Sequence, residues 1–373
     1  MRVAIQGCGH GNLNSIYAAL AKLQNDRPVD LLLICGDFQA VRHEADLETL
    51  ACPPKYRHLG DFPEYYSGRR KAPVLTLFIG GNHEASSHLW DLYHGGWVAP
   101  NMYFLGFSGC VRFGGLRISG ISGLYDPRHI KMGYYERMPY TGDMIRSIYH
   151  TREVEYRKLE LLQGKTDVFM SHEWPHKIYE HGNLNELLRC KPHFRNDIQS
   201  RGIGAPPLAK LLKVLQPIRW YAAHMHVEFK ATVQHDQNVT EFLALDKCLP
   251  GRRHMQIVDI PAAGPMQLEY DEEWLSIVRA MDPFLSLNRT APAIPDKVDL
   301  TDHVDFVRRL KESRSLKISE RNSKPSDTPG KRTTLLQTSE FCRMLQIQDR
   351  WGLPFNLKLT NNPDEICSHE NNQ

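Results

Sequence analysis

The chain lacks most of the signals that would place a protein outside the ordinary globular class. Its 373 residues include only eight cysteines, scattered from Cys8 to Cys367, with no C-x-x-C pair and no regular framework. That spacing excludes a disulfide-stapled secreted scaffold. Apolar runs are short: Val29 to Cys35 and Val74 to Ile79 are among the longest, far below the roughly 20 residues that span a bilayer. Nor is there a signal-peptide core, because Met1-Arg2-Val3-Ala4-Ile5-Gln6 runs straight into a strand-like pattern. The expectation is a soluble intracellular protein with reduced thiols and no membrane partner. Net charge is small as well, since 46 Lys and Arg against 43 Asp and Glu leave +3. Any nucleic-acid binding must therefore come from a local patch. No repeat period is visible. With 41% hydrophobic and 24% charged residues, collagen-like, mucin-like and largely disordered chains are excluded. At roughly 150 residues per domain, the length suits two domains.

What is present is a recurring unit across the first 245 residues: a short apolar run, then Gly or a polar residue, then His, Asp or Asn. Arg2–Gln6, Asp30–Cys35, Val74–Ile79, Leu116–Ile121, Asp167–Met170 and Arg219–Ala223 read as strands. Several are apolar at consecutive positions, which suits burial on both faces. Helical stripes lie between some of them. Asn14–Leu23 opens on a candidate Asn cap, and Pro206–Leu215 starts with proline and carries four leucines at i, i+3, i+4 and i+7. Strands alternating with helices predict a layered α/β core. The span 124–157 breaks the pattern. It concentrates Tyr125, Tyr134, Tyr135, Tyr140, Tyr149 and Tyr156 among several Arg and Lys, and reads as a long insert. After residue 246 the reading is helical over Glu272–Ala280, Asp302–Leu310 and Thr338–Trp351. The stretch 311–332 has seven basic and three acidic residues and reads as a mobile basic linker. The expected division is thus 1–245 and 246–373.

Five strand-end signals follow apolar runs directly: Gly7-Cys8-Gly9-His10, Gly36-Asp37, Gly81-Asn82-His83-Glu84, Ser171-His172-Glu173 and Ala223-His224-Met225-His226. Each alone has a bland reading. A single His is more often hydrogen-bonded structure, Asp37 can cap a turn, Asn82 can occupy a left-handed turn position, and Cys8 can be a small buried apolar residue. In open α/β sheets, however, ligands gather beyond the carboxyl ends of strands, so all five can converge on one crevice. Imidazoles, carboxylate, amide and thiolate together suit Zn, Mn or Fe(II) better than Ca or Mg.

This series resembles that of the calcineurin-like metallophosphoesterases, whose blocks run D-x-H, GD, GNH[DE], H and GH-x-H. The departure at Cys8, where the general pattern has aspartate, narrows the resemblance to the RNA lariat debranching enzymes. Ser171-His172-Glu173-Trp174-Pro175, Ile178 to Asn183 and Phe242 to Pro250 strengthen it. The resemblance covers about residues 1–280. It implies a four-layer α/β/β/α sandwich with an inserted recognition loop and a smaller, mostly helical C-terminal domain. It also implies two divalent cations, Fe(II), Zn or Mn. Cys8, His10 and His226 would hold one, Asn82, His172 and His224 the other, with Asp37 between them. His83 would be the general acid, and Glu84 would either orient it or close a turn.

The implied reaction is hydrolysis of the 2′–5′ phosphodiester of branched intron lariat RNA, in the nucleus, with spliceosome-associated or intron-binding proteins as further partners and no DNA. For the insert, bases can stack on Tyr134, Tyr135 or Tyr140 while Arg128, Lys131 and Arg137 meet phosphates. The alternative is a solvated loop with a tyrosine-rich packing face. Trp174 reads either as a pocket rim or as core. Two rival functions stay open at this level: a general nuclease or protein phosphatase, and a non-catalytic scaffold.

Overall fold

The computed structural model describes residues 1–320 and 333–351. Among the described residues, thirteen strands follow one another as β1 (Arg2–Gln6), β2 (Leu31–Ile34), β3 (Thr76–Phe78), β4 (Gly96–Ala99), β5 (Met102–Phe104), β6 (Ser108–Phe113), β7 (Leu116–Ile121), β8 (Val168–Ser171), β9 (Arg219–Ala222), β10 (Phe229–Gln234), β11 (Val239–Ala244), β12 (Met255–Asp259) and β13 (Glu269–Tyr270). They form a six-stranded sheet, β12-β1-β2-β3-β5-β4, and a seven-stranded sheet, β10-β11-β9-β8-β7-β6-β13. Strands β1, β2, β3 and β5 are mutually parallel, as are β7, β8, β9 and β11.

The six expected strands are all present, within two residues at each end. Their continuous apolar character has a plain cause: alternate side chains face opposite layers, and both faces are covered. Val3, Ile5, Leu31, Leu33 and Leu77 of the first sheet meet Ile118, Val168, Met170 and Tyr221 of the second in one cluster between the sheets. The opposite face of the first sheet packs on the helix Leu13–Gln24 and its neighbours. On the second sheet, Phe169 and Trp220 pack on helices Glu153–Glu160, Pro206–Leu215 and Glu272–Met281. The result is the expected α/β/β/α sandwich. The helix Pro206–Leu215 buries Leu208, Leu211, Leu212 and Leu215, each worth about 1.5–3 kcal/mol.

Several details differ from the sequence reading. The first helix begins at Leu13, and Asn12, not Asn14, is its cap residue. Asn12 Nδ2 instead donates to the Gly9 and His10 carbonyls, bracing the first strand-end loop. Residues after 246 are more helical than those before, but they also complete both sheets: β12 pairs antiparallel with β1, and β13 pairs with β6. The basic stretch is ordered at its start, because Tyr270 N donates to Leu316 O and Ile318 N to Leu268 O, with Ile318 buried. Its remainder, 321–332, lies outside the described residues, as does 352–373. The last helix runs Thr333–Leu345, earlier than its apolar spacing suggested. Among the described residues no helix is long and apolar enough to cross a membrane, and the seven described cysteines are free.

Candidate metal centre

Parallel strands deliver their carboxyl ends to a common rim. Cys8 and His10 follow β1, Asp37 follows β2, Asn82 and His83 follow β3, His172 follows β8, and His224 and His226 follow β9. Ligand atoms of Cys8, His10, Asp37 and His226 lie within 4.8 Å of one another. His10 Nε2 is 3.3 Å from His226 Nε2 and 3.6 Å from Asp37 Oδ2. On the other side of the same carboxylate, His172 Nε2 lies 3.4 Å from Asp37 Oδ1 and 3.3 Å from Asn82 Oδ1. The His224 ring stands 5.0 Å from that of His172, centroid to centroid. Asp37 therefore presents one oxygen to each group, and all seven expected ligands are brought together.

The hydrogen bonds test whether a cation fits. His172 Nδ1 donates to the Cys35 carbonyl at 2.8 Å, which leaves a lone pair on Nε2. That lone pair faces two oxygens that only accept, Asp37 Oδ1 and Asn82 Oδ1. Acceptors converging at this spacing repel one another unless a metal cation lies among them or Nε2 takes a proton, which Asp37 favours by raising the His172 pKa against burial. The donor set of nitrogen, oxygen and sulfur fits a borderline transition metal.

The backbone is bent to make this convergence. His10, Asp37, His224 and His226 have φ of 48°, 47°, 60° and 49°. Non-glycine residues in that left-handed region cost about 1–3 kcal/mol each and persist where surrounding structure enforces them. The glycines remove obstruction: a Cβ on Gly36 would lie 2.2 Å from His172 Nδ1, and one on Gly81 would lie 2.2 Å from Asp37 Oδ1.

Electrostatics follow the same logic. Burial opposes the Asp37 carboxylate, yet the His172, His10 and His83 rings outweigh it and hold its pKa well below the usual range. Burial, then Asp37, pushes the Cys8 thiol well above its ordinary value, against the His224 N–H that donates to Sγ at 3.3 Å. A thiolate there needs a cation beside it. Burial and neighbouring imidazoles bring His224 down to about 3 and His226 to about 4, so both offer lone pairs at neutral pH.

His83 stands beside this group, its ring centroid 5.6 Å from that of His10. Its backbone N–H donates to Asp37 Oδ1 at 2.8 Å, and its Nδ1 donates to the Ala51 carbonyl at 3.0 Å. Glu84 does not orient it. The buried Glu84 carboxylate accepts from the backbone N–H groups of Phe38, Gln39 and Gly81, tying the second and third strand-end loops together. Trp174 is core: it stacks on Phe229, and its Nε1 donates to the Ala223 carbonyl.

The insert leaves the rim at Gly123 and returns at Thr151. Its expected contacts divide. Tyr134 is only 1% exposed, packed among Trp90, Tyr93 and Phe107 with the Arg152 guanidinium over its ring. No base can stack on it, so Tyr134 is withdrawn from the substrate-facing set. Composition cannot separate a tyrosine that stacks on solvent-borne bases from one that fills a core. Tyr135 and Tyr140 are half-buried, and Tyr135 has Arg289 over its ring. Arg128 and Lys131 are exposed and paired with Asp126 and Glu153. Arg137 is exposed and donates to the carbonyls of Tyr134, Glu136 and Leu287. Two features escaped the sequence reading. One is a cleft of about 460 Å³ beside His226, where five basic residues, Lys191 among them, meet Glu186, Glu228 and Asp246. The other is a second cluster, Asp126, His129 and His150, whose members are too far apart along an irregular chain to register as a motif.

The model of the calcineurin-like phosphoesterases matches residues 1–228, which is the class that the sandwich and its strand-end ligands define. The model of the lariat debranching enzyme C-terminal domain matches residues 237–350. The chain is 44% identical to the lariat debranching enzyme of Arabidopsis thaliana, over 95% of this chain and 87% of that one. It is 50% identical to that of Homo sapiens over 82% of this chain and 42% identical to that of Drosophila melanogaster over 80%. It spans only 58% and 64% of those two longer proteins. The chain belongs to the lariat debranching enzymes, a branch of the calcineurin-like phosphoesterases.

Proposed function

We propose that this chain hydrolyses the 2′–5′ phosphodiester at the branch point of excised intron lariat RNA. The observation that carries the reading is the Asp37 carboxylate, with its two oxygens turned towards two separate sets of nitrogen, sulfur and oxygen donors. Cys8, His10 and His226 would hold one divalent cation, and Asn82, His172 and His224 the other. When bound, such a pair supplies Lewis acidity and a nucleophilic hydroxide at neutral pH. Zn or Fe(II) suits the thiolate side better than Mg, with Mn a third candidate.

The protein's own groups do the rest. His83, fixed through Nδ1 by the Ala51 carbonyl, keeps Nε2 for the departing 2′ oxygen and donates the proton that makes it a hydroxyl. The phosphate stays on the 5′ end of the other nucleotide. Buried Cys8, Asp37 and His172 exclude water beneath the phosphate. The cleft beside His226, with five basic side chains to three carboxylates, and the exposed Arg128 and Lys131 of the insert, which would exchange Asp126 and Glu153 for phosphate, suit a polyanion with more than one arm leaving the site. Nuclear residence follows from that substrate, and imaging of tagged protein tests it.

Reduced protein loaded with Zn, Fe(II) or Mn is given a synthetic 2′–5′ branched RNA beside its linear 3′–5′ counterpart. Release of the branch alone is expected. Equal cleavage of both would replace this reading with a general phosphodiesterase.

A further inference from the structure

The insert carries its own ligand cluster. Asp126 and His129 lie just after its entry, and His150 lies at its exit. His129 Nδ1 and His150 Nδ1 are 3.0 Å apart. Asp126 Oδ1 is 3.2 Å from His129 Nδ1, and Oδ2 is 3.9 Å from His150 Nδ1. Metal–nitrogen and metal–oxygen bonds of about 2.1 Å in tetrahedral array set ligand atoms about 3.4 Å apart, so the three residues, with one ligand atom each within 4.8 Å of the others, need only a small adjustment to meet a cation. The three side chains are 12%, 17% and 11% exposed, so the cluster is half-buried, with room for water to reach it.

Two imidazole nitrogens cannot turn lone pairs on each other at that distance unaided. Either one Nδ1 carries a proton and donates it, or a cation sits between them. Asp126 brings a third acceptor to the same point and so favours positive charge there, as a proton on Nδ1 or as a metal cation; the convergence of three ligand types, two imidazoles and a carboxylate, selects the metal. Arg128 also holds that carboxylate, its backbone N–H and Nε donating to Oδ1 at 2.8 and 3.1 Å and its Nη2 to Oδ2 at 2.7 Å. Its charge opposes a cation, but its side chain is 77% exposed, and metal binding would displace the guanidinium into solvent while the backbone N–H stays on Oδ1. We infer that Asp126, His129 and His150 form a structural divalent-metal site of the zinc class, with water as the fourth ligand.

Its place in the fold gives it a role. Leu124 N donates to Tyr149 O and Thr151 N to Leu124 O, so the insert's two ends run side by side directly beneath the cluster. That neck is tied to the catalytic rim twice. Gly123 N donates to Gly80 O, one residue before Gly81, and Tyr125 N donates to Glu173 Oε2, one residue after His172. A cation clipping entry to exit fixes the posture of the insert over the rim. The inference stands on the insert alone, whether or not the rim itself is loaded.

Zinc and cobalt equivalents are measured on the whole chain, on Asp37→Ala, and on His129→Ala/His150→Ala. Asp37→Ala should keep one zinc equivalent, with only nitrogen and oxygen neighbours by X-ray absorption. The double variant should lose one equivalent relative to the parent while keeping the thiolate-to-cobalt absorption of Cys8. In the parent protein, zinc should slow amide exchange at Leu124 and Thr151 by about tenfold or more, and the double variant should not respond. Equal equivalents in parent and double variant, or neck exchange indifferent to zinc, would overturn the site and leave a hydrogen-bonded histidine pair. Loss of the cobalt–thiolate absorption from the parent would count against the rim centre, not against this one.

Discussion

His172 Nδ1 donates to the Cys35 carbonyl at 2.8 Å, so the backbone of one sheet fixes the tautomer of a ligand carried by the other. Because Cys35 directly follows β2 and His172 directly follows β8, the sandwich spacing itself sets where Nε2 points. The same packing leaves no room at Gly36 and Gly81. The metal centre is in this sense a property of how the two sheets meet.

Gly81→Ala tests that dependence. Its Cβ would fall 2.2 Å from Asp37 Oδ1 and 2.7 Å from His172 Nε2, and relief costs about 1–3 kcal/mol. The variant should stay folded by circular dichroism yet lose rim metal by elemental analysis. Full metal content would show that the rim can widen without consequence.

His83→Ala should separate binding from chemistry. Its ring is outside the converging acceptors, so metal content should hold while branch cleavage slows by about 10²–10⁴. Single-turnover rates across pH should also lose the limb that reports a general acid. A variant at parental rate would remove His83 from the mechanism.

Cys8→Asp restores the carboxylate of the wider phosphoesterase pattern. The hard oxygen should shift preference from Zn or Fe(II) towards Mn and Mg, and inactivation by peroxide should slow because the thiolate is gone. Metal competition read by elemental analysis checks the first, and residual activity after oxidation the second. An unchanged ranking would mean that the histidines alone set selectivity.

Acid should destabilise the fold through histidines away from the rim. Burial, then the Arg42 charge, drives His88 down to about 3, and burial with Lys158 and Arg350 takes His94 well below its ordinary value. In the unfolded chain an imidazole titrates near about 6.5. Below that pH the unfolded chain binds more protons, so stability is full above about 6.5 and is lost as pH falls towards 3. Between about pH 7.5 and pH 5 each such group should cost about 2 kcal/mol in urea unfolding. His94→Phe, which keeps the stack on Phe341, should recover its share. An unaltered pH slope in that variant would assign the loss to other groups.

What the sequence made legible was what burial on both faces forces. The strands β1, β2, β3, β8 and β9 are buried at every position except Arg2 and Arg219 and mostly apolar, and the residues after them escape that constraint, so their chemistry stands out. The half-exposed strands did not register: β10 alternates buried and exposed residues, and β12 is mostly half-buried at a sheet edge. Tyr134 was misread because an aromatic among arginines has the same composition whether it faces RNA or a core. The cluster of Asp126, His129 and His150 is assembled by the neck of the insert, and no local spacing announces it.

The central claim is that one carboxylate serves two cations at the rim. Anomalous scattering at the zinc edge, from crystals of zinc-loaded reduced protein, tests it directly. Two peaks flanking Asp37 are expected, one against Cys8, His10 and His226 and the other against Asn82, His172 and His224. A single peak, or none touching the Asp37 carboxylate, would contradict it.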